Sequence, residues 1–73
     1  MGSITVILNG TATITNAHTV VDLITSLSFD PLHVIVEHNG QVLQNDQYHQ
    51  ALQADDRIEI IRYIGGGTTA SSL

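Results

Sequence analysis

The sequence predicts an α+β fold: a mixed sheet of about five strands, covered on one face by a single short helix. Three observations carry this expectation. Two Asn-Gly pairs, Asn9-Gly10 and Asn39-Gly40, each join runs suited to strands. Only residues 19–28 show a clear helical spacing of apolar side chains. With 73 residues the chain has room for one domain, and a domain of this size buries only about 60% of the surface its unfolded chain exposes. Such a thin core leaves no deep enclosed pocket, which favours binding or carrying over stand-alone catalysis.

The elements follow in order. Ile4 to Leu8 is rich in β-branched side chains, and Thr11 to Thr15 is a second run of that kind. Asn-Gly between two such runs is a strong hairpin signal, because both central residues of a type I′ turn need positive φ. Val20, Leu23, Ile24 and Leu27 fall at i, i+3, i+4 and i+7, one face of a helix. Thr19 is its expected cap, with Asp22 favourable in the first turn. The helix should stop near Ser28, since Asp30 precedes Pro31 and is pushed out of the α region. From Leu32 to Glu37 the chain alternates, with Leu32, Val34 and Val36 on one face and His33, Ile35 and Glu37 on the other. Asn39-Gly40 then leads into Gln41-Val42-Leu43 as a second hairpin. Residues 45–53 are polar, with Tyr48 and Leu52 four apart, which suggests a short helical turn. Asp55-Asp56 marks another turn, and Arg57 to Ile64 reads as the last strand. This order, β-β-α-β-β-turn-β, fits a sheet with one helix packed across it, the arrangement called the β-grasp. A ferredoxin-like fold would need a second full helix.

The domain is read as residues 1–64. Residues 65–73, Gly-Gly-Gly-Thr-Thr-Ala-Ser-Ser-Leu, are glycine and small polar residues apart from Ala70 and Leu73. They offer little surface to bury, so a mobile tail leaving the last strand is expected.

Composition removes several classes of function. Five Asp and two Glu face only Arg57 and Arg62, a net charge of −5. Nucleic-acid binding needs the opposite balance, whereas basic protein partners would be steered toward this chain; solubility alone is the plainer explanation of the charge. There is no cysteine, so neither a disulfide nor a thiolate site exists. No apolar run is long enough to cross a membrane, and no basic n-region marks a signal peptide, so a cytoplasmic location is the default. His18, His33, His38 and His49 lack metal-ligand spacing and read as scattered surface residues. Asp55 and Asp56 read as solvated turn residues rather than a catalytic pair.

The ending Arg-Ile-Glu-Ile-Ile-Arg-Tyr-Ile-Gly-Gly-Gly, residues 57–67, resembles the C-terminus of the ThiS family of sulfur carriers in thiamine biosynthesis. The Ile4–Gly10 opening, the Val34–Gly40 segment and Tyr48-His49 support the likeness, which covers residues 4–67. The resemblance implies that a C-terminal glycine, Gly67 or secondarily Gly66, is adenylated and converted to a thiocarboxylate that supplies sulfur to the thiazole ring. It implies three partners: an E1-like adenylating enzyme of the ThiF type using ATP and Mg²⁺, a sulfur donor such as a cysteine desulfurase, and a thiazole synthase of the ThiG type. The carrier itself would bind no cofactor or metal and supply no catalytic side chain. Gly65, Gly66 and Gly67 would thread a narrow channel, because backbone without Cβ approaches a ligand closely. The family pattern ends at the glycines, whereas this chain continues from Thr68 to Leu73. An amide at Gly67 is no carboxylate. Either a peptidase removes the extension, or it is appended to the natural chain, or carrier activity has been lost. Two other functions share the sequence features: the small subunit of molybdopterin synthase, which uses the same terminal chemistry, and a non-catalytic interaction domain with the tail as linker.

Partner docking is expected on the sheet face away from the helix. Ile7, Ile35, Ile61 and Tyr63 are apolar yet out of phase with the inferred core, and exposed apolar clusters mark interaction sites. A bulge that shifted strand phase would instead bury some of them. Arg62, beside the tail, is a candidate to pair with an acidic group on a partner, although single surface ion pairs contribute little.

Overall fold

Both Asn-Gly pairs form the turns that their composition predicts. Asn9 and Gly10 have φ of 49° and 84°, and Asn39 and Gly40 have 52° and 89°. A Cβ added to either glycine would meet nothing within 4 Å, so glycine is there for its backbone freedom rather than for space. The computed structural model that shows this describes residues 2–64 and 69–72, with residues 63, 64 and 69–72 described through their backbone only.

The first turn joins β1 (Ile4–Leu8) to β2 (Thr11–Thr15), and the second joins β3 (Val34–His38) to the two-residue β4 (Gln41–Val42). Helix α1 (Val20–Ser26) lies between the hairpins, and β5 (Arg57–Ile64) and β6 (Thr69–Ser72) follow. The sheet order is β2-β1-β5-β3-β4, with β6 also on β5. β1 and β5 are parallel and the other pairs antiparallel, so the sheet is mixed and β5 lies at its centre. Five strands and one helix match the expected β-grasp arrangement. β6 is an addition: Thr69–Ser72 pairs with β5, where a tail leaving the domain was expected.

Helix α1 starts where predicted. Thr19 Oγ1 accepts the backbone N–H of Asp22 at 3.2 Å. The N–H groups of Val20 and Val21 donate to the carbonyls of Gln50 and Tyr48 at 3.0 and 2.8 Å, so the 48–50 segment satisfies donors that every helix start leaves open. At the other end Ser28 takes φ of 66°, and the N–H of Phe29 reaches back to Ile24 O at 3.2 Å. This is a left-handed stop of the kind glycine usually provides. Val20, Leu23 and Ile24 are buried against Val36, Ile58 and Ile60 of the sheet.

One local expectation needs correction, and a second is narrowed. Leu32 is not on the core face; it is 68% exposed. Asp30 accepts the Leu32 N–H on its side chain and the His33 N–H on its carbonyl, both at 2.9 Å. These bonds wind Pro31–His33 into a 3-10 turn and delay β3 until Val34. In the 45–53 segment only Asn45–Gln47 is helical, again 3-10. Tyr48 and Leu52 are both buried, and the Tyr48 hydroxyl donates to Val34 O at 3.2 Å.

The asparagines of both turns also bond to β5. Asn9 Oδ1 accepts the Ile60 N–H at 2.8 Å, and Asn9 Nδ2 donates to Ile60 O at 3.2 Å. On the opposite edge, Asn39 Oδ1 accepts the Arg57 N–H at 2.8 Å, and the Asn39 N–H donates to Arg57 O at 2.8 Å. Asn39 Nδ2 continues to Asp56 Oδ1 at 3.1 Å.

His38 and Asp56 are not the solvated residues that the sequence suggests. Their side chains are 12% and 13% exposed, with His38 Nε2 2.8 Å from Asp56 Oδ2. His38 Nδ1 lies 2.8 Å from Gln50 Oε1, so the cationic ring can donate at both nitrogens whereas the neutral ring has one N–H. Burial disfavours the charged His38, but the Asp56 and Gln50 hydrogen bonds and the Asp56 charge outweigh it and raise its pKa. Burial likewise disfavours the Asp56 carboxylate, yet bonds from His38, the Gln53 N–H and Asn39, with the His38 charge, lower its pKa.

Two outcomes follow. Asn9→Gly preserves a turn-competent backbone but removes the bonds to Ile60; chemical denaturation should show a loss of about 1–3 kcal/mol, against almost none if the turn alone mattered. For the ion pair the signs oppose one another. A raised His38 pKa contributes stability that is complete below the ordinary value of 6.5 and lost as pH rises through the folded pKa. A lowered Asp56 pKa contributes stability that is complete above the ordinary 3.8 and lost as pH falls through the folded pKa. Stability curves should therefore show this contribution intact between those two values and fading on either side. His38→Gln should flatten the alkaline limb, as measured by urea unfolding at pH 5.5 and 8.5.

Candidate functional site

The candidate site is the C-terminal end of β5 with the sheet surface beside it. Alternation along the strand decides which residues that surface carries. Ile58 and Ile60 are fully buried under α1, so Arg57, Glu59 and Ile61 point to the opposite face. Cross-strand partners share a face, which adds Ile35 opposite Ile61, Glu37 opposite Glu59 and Ile7 opposite Arg57. The expected phase is therefore correct: Ile7, Ile35 and Ile61 lie away from the helix, each half-buried.

The structure brings only two of the predicted residues together. Ile35 and Ile61 are direct partners across β3 and β5. Ile7 is level with Arg57, four residues before Ile61 on β5, which at strand geometry is about 13 Å away. Between them lies the Glu37–Glu59 pair. These carboxylates face one another across neighbouring strands, an arrangement that costs stability in isolation. Sequence reasoning missed this pair, although its signal was present: each glutamate is two residues from an isoleucine of the patch and therefore on the same face.

Arg62 lies elsewhere. Its Cα partner is Val34, a buried core residue, so Arg62 projects on the helix side. Its guanidinium sits 5.1 Å from the centroid of the Phe29 ring, a cation–π distance. The exposed arginine thus covers the edge of the core. The side chain of Tyr63, and all of Gly65, Gly66 and Gly67, lie outside the described residues. Backbone pairing of Tyr63 with Ala70 and of Ile64 with Thr69 is described.

Among the described residues no three His, Asp or Glu side chains gather to hold a metal ion, and no helix is long and apolar enough to cross a membrane. An open groove beside β4 is lined by Val42, Leu43, Gln44, Asp46 and Tyr48 among others.

Comparison with known proteins gives one consistent result. The model of the ThiS family matches residues 5–67. The sulfur carrier protein ThiS of Bacillus subtilis (strain 168) is 38% identical over 50 residues, 67% of this chain and 76% of that protein. A crystal structure described as thiamine biosynthesis protein (ThiS) from Geobacter metallireducens superposes with a TM-score of 0.69 at 28% identity, covering 88% of this chain and 100% of the other. Fold and the match through the glycine run agree, and the chain belongs to the ThiS family of sulfur carriers.

Proposed function

We propose that this carrier works through its glycine run: the carboxylate of Gly67, once free, is adenylated and then converted to a thiocarboxylate whose sulfur enters the thiazole of thiamine. The observation that carries the reading is positional. The family match runs through Gly67 and stops there, and β5 leads from the centre of the sheet to Ile64, directly before the glycines. Gly66 is the second choice of acceptor.

The chemistry explains why other proteins are needed. A carboxylate of pKa about 3.5 is ionised at neutral pH and resists nucleophiles. An E1-like enzyme of the ThiF type, using ATP and Mg²⁺, would form the acyl-adenylate with release of pyrophosphate. The terminal persulfide sulfur of a donor such as a cysteine desulfurase would then displace AMP to give an acyl disulfide, a thiol would reduce its S–S bond to leave the thiocarboxylate, and a thiazole synthase of the ThiG type would take the sulfur, all within the cytoplasm. The carrier supplies the reacting carboxylate and no catalytic side chain. Hydrolysis of the Gly67–Thr68 peptide bond must come first, because the extension keeps that carbonyl as an amide.

Docking on these enzymes is assigned to the outer sheet face. Ile35 and Ile61 form its apolar patch, Ile7 beside Arg57 lies beyond the acidic row, and Glu37 with Glu59 provide the charge that a basic partner surface would relieve. Arg62 and Tyr63 mark the boundary with the tail.

Two measurements test the proposal. Intact-mass analysis of the protein from its native host should find chains ending at Gly67 with sulfur in place of one terminal oxygen. Gly66→Val in a chain ending at Gly67 should lower ATP–pyrophosphate exchange by the adenylating enzyme at least about tenfold, because a Cβ-branched residue bars the close backbone approach. Full-length chains in the host with no sulfur adduct, together with unchanged exchange in the valine variant, would defeat it. For the face, Glu37→Lys with Glu59→Lys should slow association with the adenylating enzyme and reverse its dependence on salt. Equal on-rates for both proteins would remove the acidic pair from docking.

A further inference from the structure

β5 is longer than its partner on one edge. β1 runs beside it only as far as Leu8, opposite Ile58. The Asn9 side chain adds one step, to Ile60, and the chain then turns away through Gly10 into β2. Alternation shows what remains. A residue's N–H and C=O leave a strand on one side, and successive residues take opposite sides. Ile58 O accepts the Asn9 N–H and Ile60 binds the Asn9 side chain, so even-numbered residues of β5 face the β1 edge. Arg57 faces the other way, toward Asn39. The backbone groups of Arg62 and Ile64 therefore project on the β1 side, beyond the reach of β1.

Thr69–Ser72 fills that vacancy as an antiparallel strand, with Arg62 opposite Ser71 and Ile64 opposite Thr69. By the same alternation those two pairs exchange N–H···O bonds with β5, while Ala70 and Ser72 turn their backbone groups outward. We propose that Thr69–Ser72 is a self-complementing strand that occupies a strand-accepting edge of β5 over Arg62–Ile64 and keeps other extended chains off it. An uncovered strand edge is a template for pairing with a second copy or a partner peptide. The regulatory consequence rests on the carrier reading: with β6 docked the chain reverses after Ile64 instead of reaching outward, so removal of the extension frees the carboxylate and the edge in one step.

The test needs only the full chain and two variants, followed by NMR amide hydrogen exchange. Ser71→Pro removes an N–H aimed at β5, whereas Ala70→Pro removes one aimed at solvent, a position where edge strands accept proline. Exchange at Arg62 and Ile64 should accelerate about tenfold or more in Ser71→Pro, as expected for loss of a local cooperative unit, and should stay near wild-type in Ala70→Pro. Ile60, bonded to Asn9, should be unchanged in both and reports that the domain remains folded. Equal exchange at Arg62 and Ile64 in wild-type and Ser71→Pro would overturn the proposal, as would equal acceleration by both prolines. Neither result bears on sulfur transfer, which the mass and adenylation measurements read independently.

Discussion

Two asparagine side chains grip the central strand from opposite edges, and the placing of the chain's C-terminal end depends on that grip. A primary amide carries a donor and an acceptor side by side, as a peptide unit does. Asn9 therefore continues the β1 ladder to Ile60 after the main chain has begun to turn. Asn39 holds Arg57 from the β3 side and ties in Asp56. The same residue type answers two demands at once. A type I′ turn needs positive φ, which asparagine tolerates better than most residues, and the strand beside the turn needs one more hydrogen-bonding partner. Serine or alanine would meet neither demand as well.

Once β5 is held, the pleat sorts its side chains without further instruction. Ile58 and Ile60 go under the helix with no exposure, and Glu59 and Ile61 go outward. The outer face then alternates in kind along its length: Ile7 with Arg57, Glu37 with Glu59, Ile35 with Ile61. A strand shifted by one residue would exchange the two sets, burying the glutamates and exposing the core. The register that makes the core thus also makes the acidic and apolar rows, and neither can be changed alone.

Much of this was legible from residue order. Asn-Gly between β-branched runs gave both hairpins, the spacing of Val20, Leu23, Ile24 and Leu27 gave the helix, and Thr19 its cap, because each of these signals is local. What escaped was non-local. Leu32 has the phase of a strand residue, but Asp30 caps the turn containing it. His38 and Asp56 looked like scattered surface charges because 18 residues separate them in sequence, while the fold sets them 2.8 Å apart. Arg62 sits beside Ile61 in sequence yet on the other side of the sheet, over Phe29. At the site, the apolar face was legible from phase, whereas the partnership of Glu37 with Glu59 required the β3–β5 register, which alternation alone does not provide.

The asymmetry of β5 joins these threads. On the β3 edge its pairing continues to Arg62 opposite Val34, while on the β1 edge pairing with the first hairpin ends with the Asn9 clamp at Ile60. Ile61 and Arg62 are therefore anchored through β3 on one edge, while on the other edge Thr69–Ser72 pairs with Ile61–Ile64. Arg62 adds to the anchored side by covering Phe29. The early turn of β1, which follows from placing Asn9-Gly10 after five strand residues, is thus what leaves an edge for β6 to occupy. The length of the first strand, set at the opposite end of the sequence, governs what can pair with the last one.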